Sequence, residues 1–176
     1  MKADKGILLC GGFATLDGKI KQLTYDDSGF GPTRRDKDRK LAVVIRNHAE
    51  SFDGWITWNG LMYDLPFVDD RLTLTGENTL ERRFARGLDI MWHAAMGKAT
   101  FTSRRLEWVA KALGCPYKRS PLDIGLWKDA EAEVLANFSN GRENYDQVVA
   151  HNRGCLKYTL WCYNKLKPRI TSISKR

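Results

Sequence analysis

The stretch that decides the fold is WITWNGLMYDLPFVDDRL, residues 55–72. It begins with Trp, Ile, Thr and Trp, a run typical of a buried strand, and Asn59 and Gly60 then predict a turn. One carboxylate, Asp64, follows inside an apolar run, with Pro66 where a helix can begin. A carboxylate at the exit of a buried strand is either a helix cap or one member of a charged site.

The segments around this stretch predict an α/β domain. Residues 6–14 indicate a buried strand, and the Asp17-Gly18 turn joins it to a second strand over 19–25, as a hairpin. Residues 26–40 are polar and strongly charged, which predicts a loop leading into a helix over 39–52. Strands that come first, with helices between and after them, favour one α/β domain over residues 1–176.

Three helical segments and one extended segment are predicted in the second half. Ser103 is a plausible N-cap and Gly114 a stop for one helix, a short helix covers 130–138, and residues around Asp89 are extended. A long helix over 144–166 ends at Lys167 and Pro168, and residues 168–176 form a basic tail.

Charge and cysteine content limit the function classes. The net charge is +8 and the pI is near 9.4, which fits either a polyanion-binding protein or an ordinary basic enzyme. The six Trp, six Tyr and seven Phe favour nucleic acid slightly, because aromatic faces stack on bases. Four cysteines without paired spacing indicate reduced thiols and a cytoplasmic location. The sequence contains no apolar run of 18 residues, so no membrane span is predicted. Residues 1–12 do not resemble a signal peptide.

Four segments in order resemble the RNase H-like 3'-5' exonucleases of the DEDD type, in the tyrosine-bearing branch of bacterial and phage enzymes. The segments are 6–23, 59–66, 87–114 and 148–168. The resemblance covers residues 6–170 and implies an RNase H-like mixed sheet flanked by helices. It also implies two-metal phosphodiester hydrolysis, in which four carboxylates hold Mg²⁺ or Mn²⁺.

Only one of these four carboxylates matches. Asn59 and Asp64 match the second motif, but His151 stands at the tyrosine position of the last helix and Cys155 at its Asp position. A thiol is a poor ligand for Mg²⁺. The Asp-x-Glu pair is missing, either because residues 6–23 align with the second and third strands of the family or because Cys10 and Gly12 replace it.

The remaining interpretations concern the same residues. Asp64 can be a helix cap as well as a remnant of the metal site, and Asp89 is expected to be a structural hydrogen-bonding residue. His151 and Cys155 are one helical turn apart and, with Asp64, form a candidate zinc site, against the alternative that both are core residues.

Candidate nucleic-acid contacts are basic, amide and aromatic side chains, although each basic residue can also be an ordinary surface charge. The candidates are Arg34, Arg35, Asn59, Tyr63, Lys98, Arg104, Arg105 and Arg153, with Trp58 and Phe101 as further stacking candidates.

The sequence therefore predicts a catalytically inactive exonuclease-like domain that binds nucleic acid, with single-stranded DNA favoured. It predicts neither a cofactor nor a membrane partner. One alternative is an active Mg²⁺- or Mn²⁺-dependent 3'-5' exonuclease, with ligands from another chain or from Asp26, Asp27 or Glu50. Another is a protein-interaction or inhibitor module. A missing central strand would expose sheet edges, which predicts a homodimer, and the family points to a phage protein in host cytoplasm.

Overall fold

The computed structural model describes residues 7–80, 87–96, 101, 103–118 and 123–173, and within them the fold is mixed α/β. The strands are β1 (Gly11–Ala14), β2 (Ile20–Leu23), β3 (Trp55–Thr57) and β4 (Gly87–Asp89). The helices are α1 (Tyr25–Ser28), α2 (Arg34–Glu50), α3 (Asp64–Thr75), α4 (Ile90–Met96), α5 (Leu106–Ala112), α6 (Ile124–Leu135) and α7 (Glu143–Ile173).

The four strands form two separate two-stranded ladders in this part of the chain. β1 and β2 pair antiparallel across a turn in which Gly18 has a φ of +89°, so the predicted hairpin is confirmed. β3 and β4 pair parallel, with Thr57 opposite Asp89, and α3 lies in the connection between them. The extended segment predicted around Asp89 is therefore a strand.

The buried segment before β1 is held by side chains instead of a neighbouring strand. The N–H of Leu8 donates to Asp38 Oδ1 at 2.8 Å, and its carbonyl accepts from the Tyr25 hydroxyl at 2.6 Å. The strand predicted over 6–14 therefore starts only at Gly11, because side chains occupy the backbone groups that a ladder would use.

The prediction of a loop over residues 26–40 is wrong for most of this range. Thr24 and Asp27 form a capping box that starts α1, and the Thr33 hydroxyl accepts from the N–H of Asp36 to start α2. Irregular backbone remains only over 29–33. The helix α2 begins within this charged run, and its residues Lys37 and Asp38 are buried.

The last helix, α7, is capped by a buried glutamate and continues past its proline. Glu133 of α6 accepts from the N–H groups of Asn144 and Tyr145, at 3.2 and 2.8 Å. The tail predicted over 168–176 is helical up to Ile173, so the predicted end at Pro168 is wrong. Ile170 packs against the core beyond the proline, and this contact favours continuation of the helix.

Two hydrophobic clusters form the core of the described residues, and α7 contributes to both. The first contains Leu23, Tyr25, Leu41, Leu72, Val134, Tyr145 and Val148, among others. The second contains Ile90, Val109, Ala110, Tyr158, Cys162 and Leu166. No helix in the described ranges is long and apolar enough to cross a membrane.

Candidate functional site

Asp89 organises the turn at the exit of β3. Its carboxylate is buried, with the residue 5% exposed, and accepts from the N–H of Asn59 at 2.8 Å and of Leu61 at 3.4 Å. It also accepts from the Thr57 hydroxyl at 3.2 Å and from the N–H of Met91 at 3.1 Å. These bonds hold Asn59 in the left-handed region, at a φ of +61°. The prediction that Asp89 is structural is confirmed.

Asp64 is the first residue of α3 and does not cap it. Tyr63 occupies the N-cap position and makes no side-chain cap bond, so the interpretation of Asp64 as a helix cap is wrong. The carboxylate instead leans over Gly60, where an added Cβ would lie 3.2 Å from Asp64 Oδ2 and 2.7 Å from the Thr57 Cβ. The tight turn at Gly60 therefore brings Asp64 back over the end of β3.

The environment of Asp64 disfavours its charged form. Desolvation raises the pKa of the Asp64 carboxyl, and the nearby Asp89 carboxylate raises this pKa further. Part of the residue remains exposed to water, so solvent screens this effect. Two neighbouring carboxylates without a cation repel each other, and this repulsion predicts a cost in stability at neutral pH.

Asp64→Asn is expected to raise the melting temperature at pH 7. Because the pKa of Asp64 is higher in the folded state than in the unfolded state, the ionised carboxyl costs stability above its folded-state pKa. The cost disappears as the pH falls and both states become protonated. Thermal denaturation from pH 3 to pH 8 measures the difference, with Asp70→Asn on the exposed side of α3 as the control. A pH-independent decrease in melting temperature would contradict the prediction.

Exposed arginine and tyrosine residues belong to this turn and to the segment that is tied to it. The indole N–H of Trp58 donates to the Arg104 carbonyl at 3.1 Å and ties the turn to the segment before α5. Arg104 and Arg105 are exposed and have no ion-pair partner among the residues that the structure describes, and Tyr63 is 49% exposed. This hydrogen bond thus ties the segment of Arg104 to the turn that contains Asn59 and precedes Tyr63 and Asp64.

The segment around Arg104 and Arg105 differs from its prediction. α5 begins at Leu106, so Ser103 is not its N-cap, although the Ser103 hydroxyl accepts from the N–H of Arg105 at 3.2 Å. Trp58 and Phe101 pack against the second hydrophobic cluster, which limits their use for stacking. Lys98 lies outside the described residues.

The candidates on α7 pack against β1. His151 and Cys155 are half-buried, one turn apart, and Arg153 is exposed. An added Cβ at Gly12 would collide with Asn152 Oδ1 and would lie 2.8 Å from Leu156 Cδ1, so Gly12 lies close against α7. Burial, followed by the nearby Cys155 thiol, raises the pKa of Cys10 to about 12. Cys10 and Cys155 are therefore neighbours, and Cys10 is protonated at neutral pH.

Several other candidate charges are already paired. Arg34 Nη2 lies 2.7 Å from Glu131 Oε1, whereas Arg35 is exposed and has no ion-pair partner in the described ranges. Asp26 pairs with Arg142 at 3.1 Å, and Asp27 belongs to the α1 capping box. Both aspartates are thus used to hold α1 in place.

Among the described residues, no three His, Cys, Asp or Glu side chains are grouped as metal ligands. The structure therefore does not bring Asp64, His151 and Cys155 together as the candidate zinc site. Two carboxylates, Asp64 and Asp89, are close enough to affect each other, and Asp89 is engaged by four donors.

Two exposed aromatic residues were not among the stacking candidates named from the sequence. Trp108 of α5 is 59% exposed and Tyr117, after α5, is 44% exposed. The position of Trp108 between the inward-facing residues Leu106 and Val109 is the signal that could have placed it outside.

Comparison with models of protein families, with curated proteins and with solved structures found no match for this chain. The shape of the turn after β3 and the charges around it are the observations that bear on function.

Proposed function

We propose that this protein binds single-stranded nucleic acid, with DNA favoured, at the exit of β3, and that it does so without hydrolysing it. The observations that carry the proposal are the exposure of Tyr63, Arg104 and Arg105 and the hydrogen bond from the Trp58 indole to the Arg104 carbonyl, which ties the segment of both arginines to the exit of β3. Guanidinium groups bind phosphate, and an exposed phenol ring can stack on a base.

The charge of the chain supports the same class of ligand. A net charge of +8 attracts polyanions, and binding that neutralises phosphates releases counterions and weakens with salt. Stacking on Tyr63 tolerates any base, since every base has a π face. The proposal therefore predicts salt-sensitive binding with weak sequence preference.

The chemistry around Asp64 supports the absence of hydrolysis. Two-metal catalysis requires several carboxylates free to bind cations, whereas Asp89 already accepts four hydrogen bonds that shape the turn. Cys10 and Cys155 are neighbouring thiols, and the exonuclease resemblance places Cys155, and in one alignment Cys10, at positions of metal-binding carboxylates. Thiols are soft ligands and do not replace carboxylates on Mg²⁺.

We further propose that the domain is RNase H-like. The order of a hairpin, a parallel strand pair joined by a helix and a long final helix supports this assignment, whereas the described strands form two separate ladders and not the one mixed sheet that the resemblance implies. Packing of residues 10–12 on α7 favours the alternative in which Cys10 and Gly12 occupy the first-strand positions.

A fluorescence titration with a labelled single-stranded oligonucleotide tests this function, at two salt concentrations and with or without Mn²⁺. The double variant Arg104→Ala/Arg105→Ala is expected to reduce the slope of log K against log salt by about 1.4, since each phosphate contact contributes about 0.7 for single strands. Lys21→Ala/Lys128→Ala removes the same charge elsewhere and is the matched control.

Each sample is then separated on a denaturing gel. An intact oligonucleotide that binds in a salt-sensitive manner supports the proposal. Shortened product that Asp64→Ala abolishes would instead identify an active metal-dependent exonuclease. Absence of binding at low salt would remove nucleic acid as the ligand and favour a protein-interaction module.

A further inference from the structure

The net charge of the chain is concentrated in its last thirty residues. Residues 147–176 contain seven basic residues and no Asp or Glu, so they contribute +7 of the net +8. The preceding 146 residues contain 22 basic and 21 acidic residues and contribute only +1. The basic character of this protein is therefore mainly a property of α7 beyond its first turn and of the residues that follow it.

Four residues of α7 lie along one ridge of the helix. Arg153, Lys157, Trp161 and Lys165 are each four residues apart, which places them about 6 Å apart along the axis. The three basic residues are exposed. Tyr158, Cys162 and Leu166 are buried in the second cluster, so the opposite side of the helix faces the core. We call Arg153, Lys157, Trp161 and Lys165 the α7 ridge.

Aromatic rings hold the ammonium groups of the α7 ridge. Lys157 Nζ lies 5.6 Å from the ring centroid of Tyr117, and Lys165 Nζ lies 5.0 Å from that of Trp161. A cation–π contact orients an ammonium group without cancelling its charge. Arg153, Lys157 and Lys165 have no carboxylate partner in the part of the chain that the structure describes, so their positive charges face solvent unneutralised.

Two aromatic side chains of α7 donate hydrogen bonds to the backbone at the end of α5 and after it. The indole N–H of Trp161 donates to the Leu113 carbonyl at 3.2 Å, and the Tyr158 hydroxyl donates to the Tyr117 carbonyl at 3.2 Å. Tyr117 meets Trp161 edge to face, with centroids 6.2 Å apart, and remains 44% exposed. An exposed ring thus lies beside a row of cations.

We propose that the α7 ridge is a phosphate-binding track for single-stranded nucleic acid, with Tyr117 as the base-stacking surface beside it. The inference rests on the proposed function and adds the surface that neutralises most of the phosphate charge. Regularly spaced cations fit a backbone of repeating phosphates, and an exposed ring requires an unpaired base. A membrane surface fits less well, because the apolar side of α7 is buried in the core and is not available to lipid.

The first test is a salt series with a labelled oligothymidine of about twenty nucleotides. Lys157→Ala/Lys165→Ala is expected to reduce the slope of log K against log salt by about 1.4, which corresponds to two lost phosphate contacts. Lys157→Arg/Lys165→Arg keeps the charges and should retain the wild-type slope. Lys21→Ala/Lys128→Ala removes equal charge from the hairpin and α6 and should change the slope little.

The second test addresses stacking. Tyr117→Ala is expected to weaken single-strand binding roughly 5- to 100-fold with an unchanged salt slope, whereas Tyr117→Phe keeps the ring and should bind like the wild type. Binding to a duplex of the same length should be affected much less. Thermal denaturation of every variant identifies any loss that arises from unfolding, in which case the arginine and phenylalanine variants carry the comparison.

The outcomes separate this inference from the function on which it rests. If the wild type binds the oligonucleotide and the ridge variant has the same salt slope as the matched control, the α7 track is overturned. The β3 exit would then remain the binding surface. A wild-type protein that binds no oligonucleotide would overturn both proposals. Binding to vesicles that contain anionic lipid, lost only in the ridge variant and without oligonucleotide binding, would assign the ridge to a lipid surface.

Discussion

Asp38→Ala is expected to lower the free energy of unfolding by about 3–5 kcal/mol, the range observed when one partner of a buried ion pair is removed. Asp38 is fully buried, contacts the buried Arg71 guanidinium of α3, and accepts from the N–H of Leu8. The substitution leaves a buried positive charge and a buried N–H without their acceptor. It should also release the segment before β1, since Leu8 has no strand neighbour there among the described residues.

Urea denaturation followed by circular dichroism measures this change. Asp70→Ala, at an exposed position of α3, is the matched control and should change stability by less than about 0.5 kcal/mol. The double variant Asp38→Leu/Arg71→Met should recover much of the loss, because apolar pairs replace buried ion pairs at little cost. If Asp38→Ala were as stable as the control, the buried pair would not hold the N-terminal segment.

Asp89→Ala is expected to destabilise the protein by about 3 kcal/mol and to weaken oligonucleotide binding. The substitution leaves the N–H groups of Asn59, Leu61 and Met91 without their acceptor, and buried unsatisfied donors cost about 1–3 kcal/mol each without being additive. The turn that presents Tyr63 would lose its shape. Binding should therefore fall even though a negative charge has been removed.

Asp89→Asn is the control for the last prediction. It retains one acceptor oxygen and removes the charge, so we expect an intermediate loss of stability. Binding is measured at a temperature at which each variant is folded. Tighter binding by Asp89→Ala, with unchanged stability, would mean that Asp89 only repels phosphate and does not shape the turn.

Local patterns were sufficient to predict the hairpin, β3 and the long final helix. Asp17 and Gly18 form a turn between alternating segments, and Trp55 to Trp58 form an apolar run before an Asn-Gly turn. These three features depend on residues close in sequence. Asp89 was expected to form structural hydrogen bonds, but its partners Thr57, Asn59 and Leu61 lie 28 to 32 positions earlier, and no local pattern identifies them.

The features that were not predicted depend on contacts between distant residues. The charged run over residues 26–40 gives no local sign that Asp38 is buried against Arg71, 33 positions later. The continuation of α7 past Pro168 depends on packing of Ile170 against the second cluster. Similarly, the sequence does not show that Tyr117 lies beside Lys157, 40 positions away, since the chain between them includes a helix of its own.

The predicted homodimer rested on unpaired strand edges, and one of these edges is partly occupied. Leu8 directs its N–H to Asp38 and its carbonyl to Tyr25, so these two groups are not available to a second chain. The dimer stays a prediction, and size-exclusion chromatography at several protein concentrations tests it. Exchange of the segment before β1 would first require both side-chain bonds to break.

The division of the core into two clusters has a consequence for amide hydrogen exchange. The larger cluster includes Tyr145 and Val148 of α7, and the smaller one includes Tyr158, Cys162 and Leu166. Cooperative opening units commonly follow such packing boundaries, so amides of α4, α5 and the second half of α7 should exchange together and earlier than those of α2. Both proposed binding surfaces border this smaller cluster. A bound strand would therefore protect a whole cooperative unit from exchange, including amides that it does not contact.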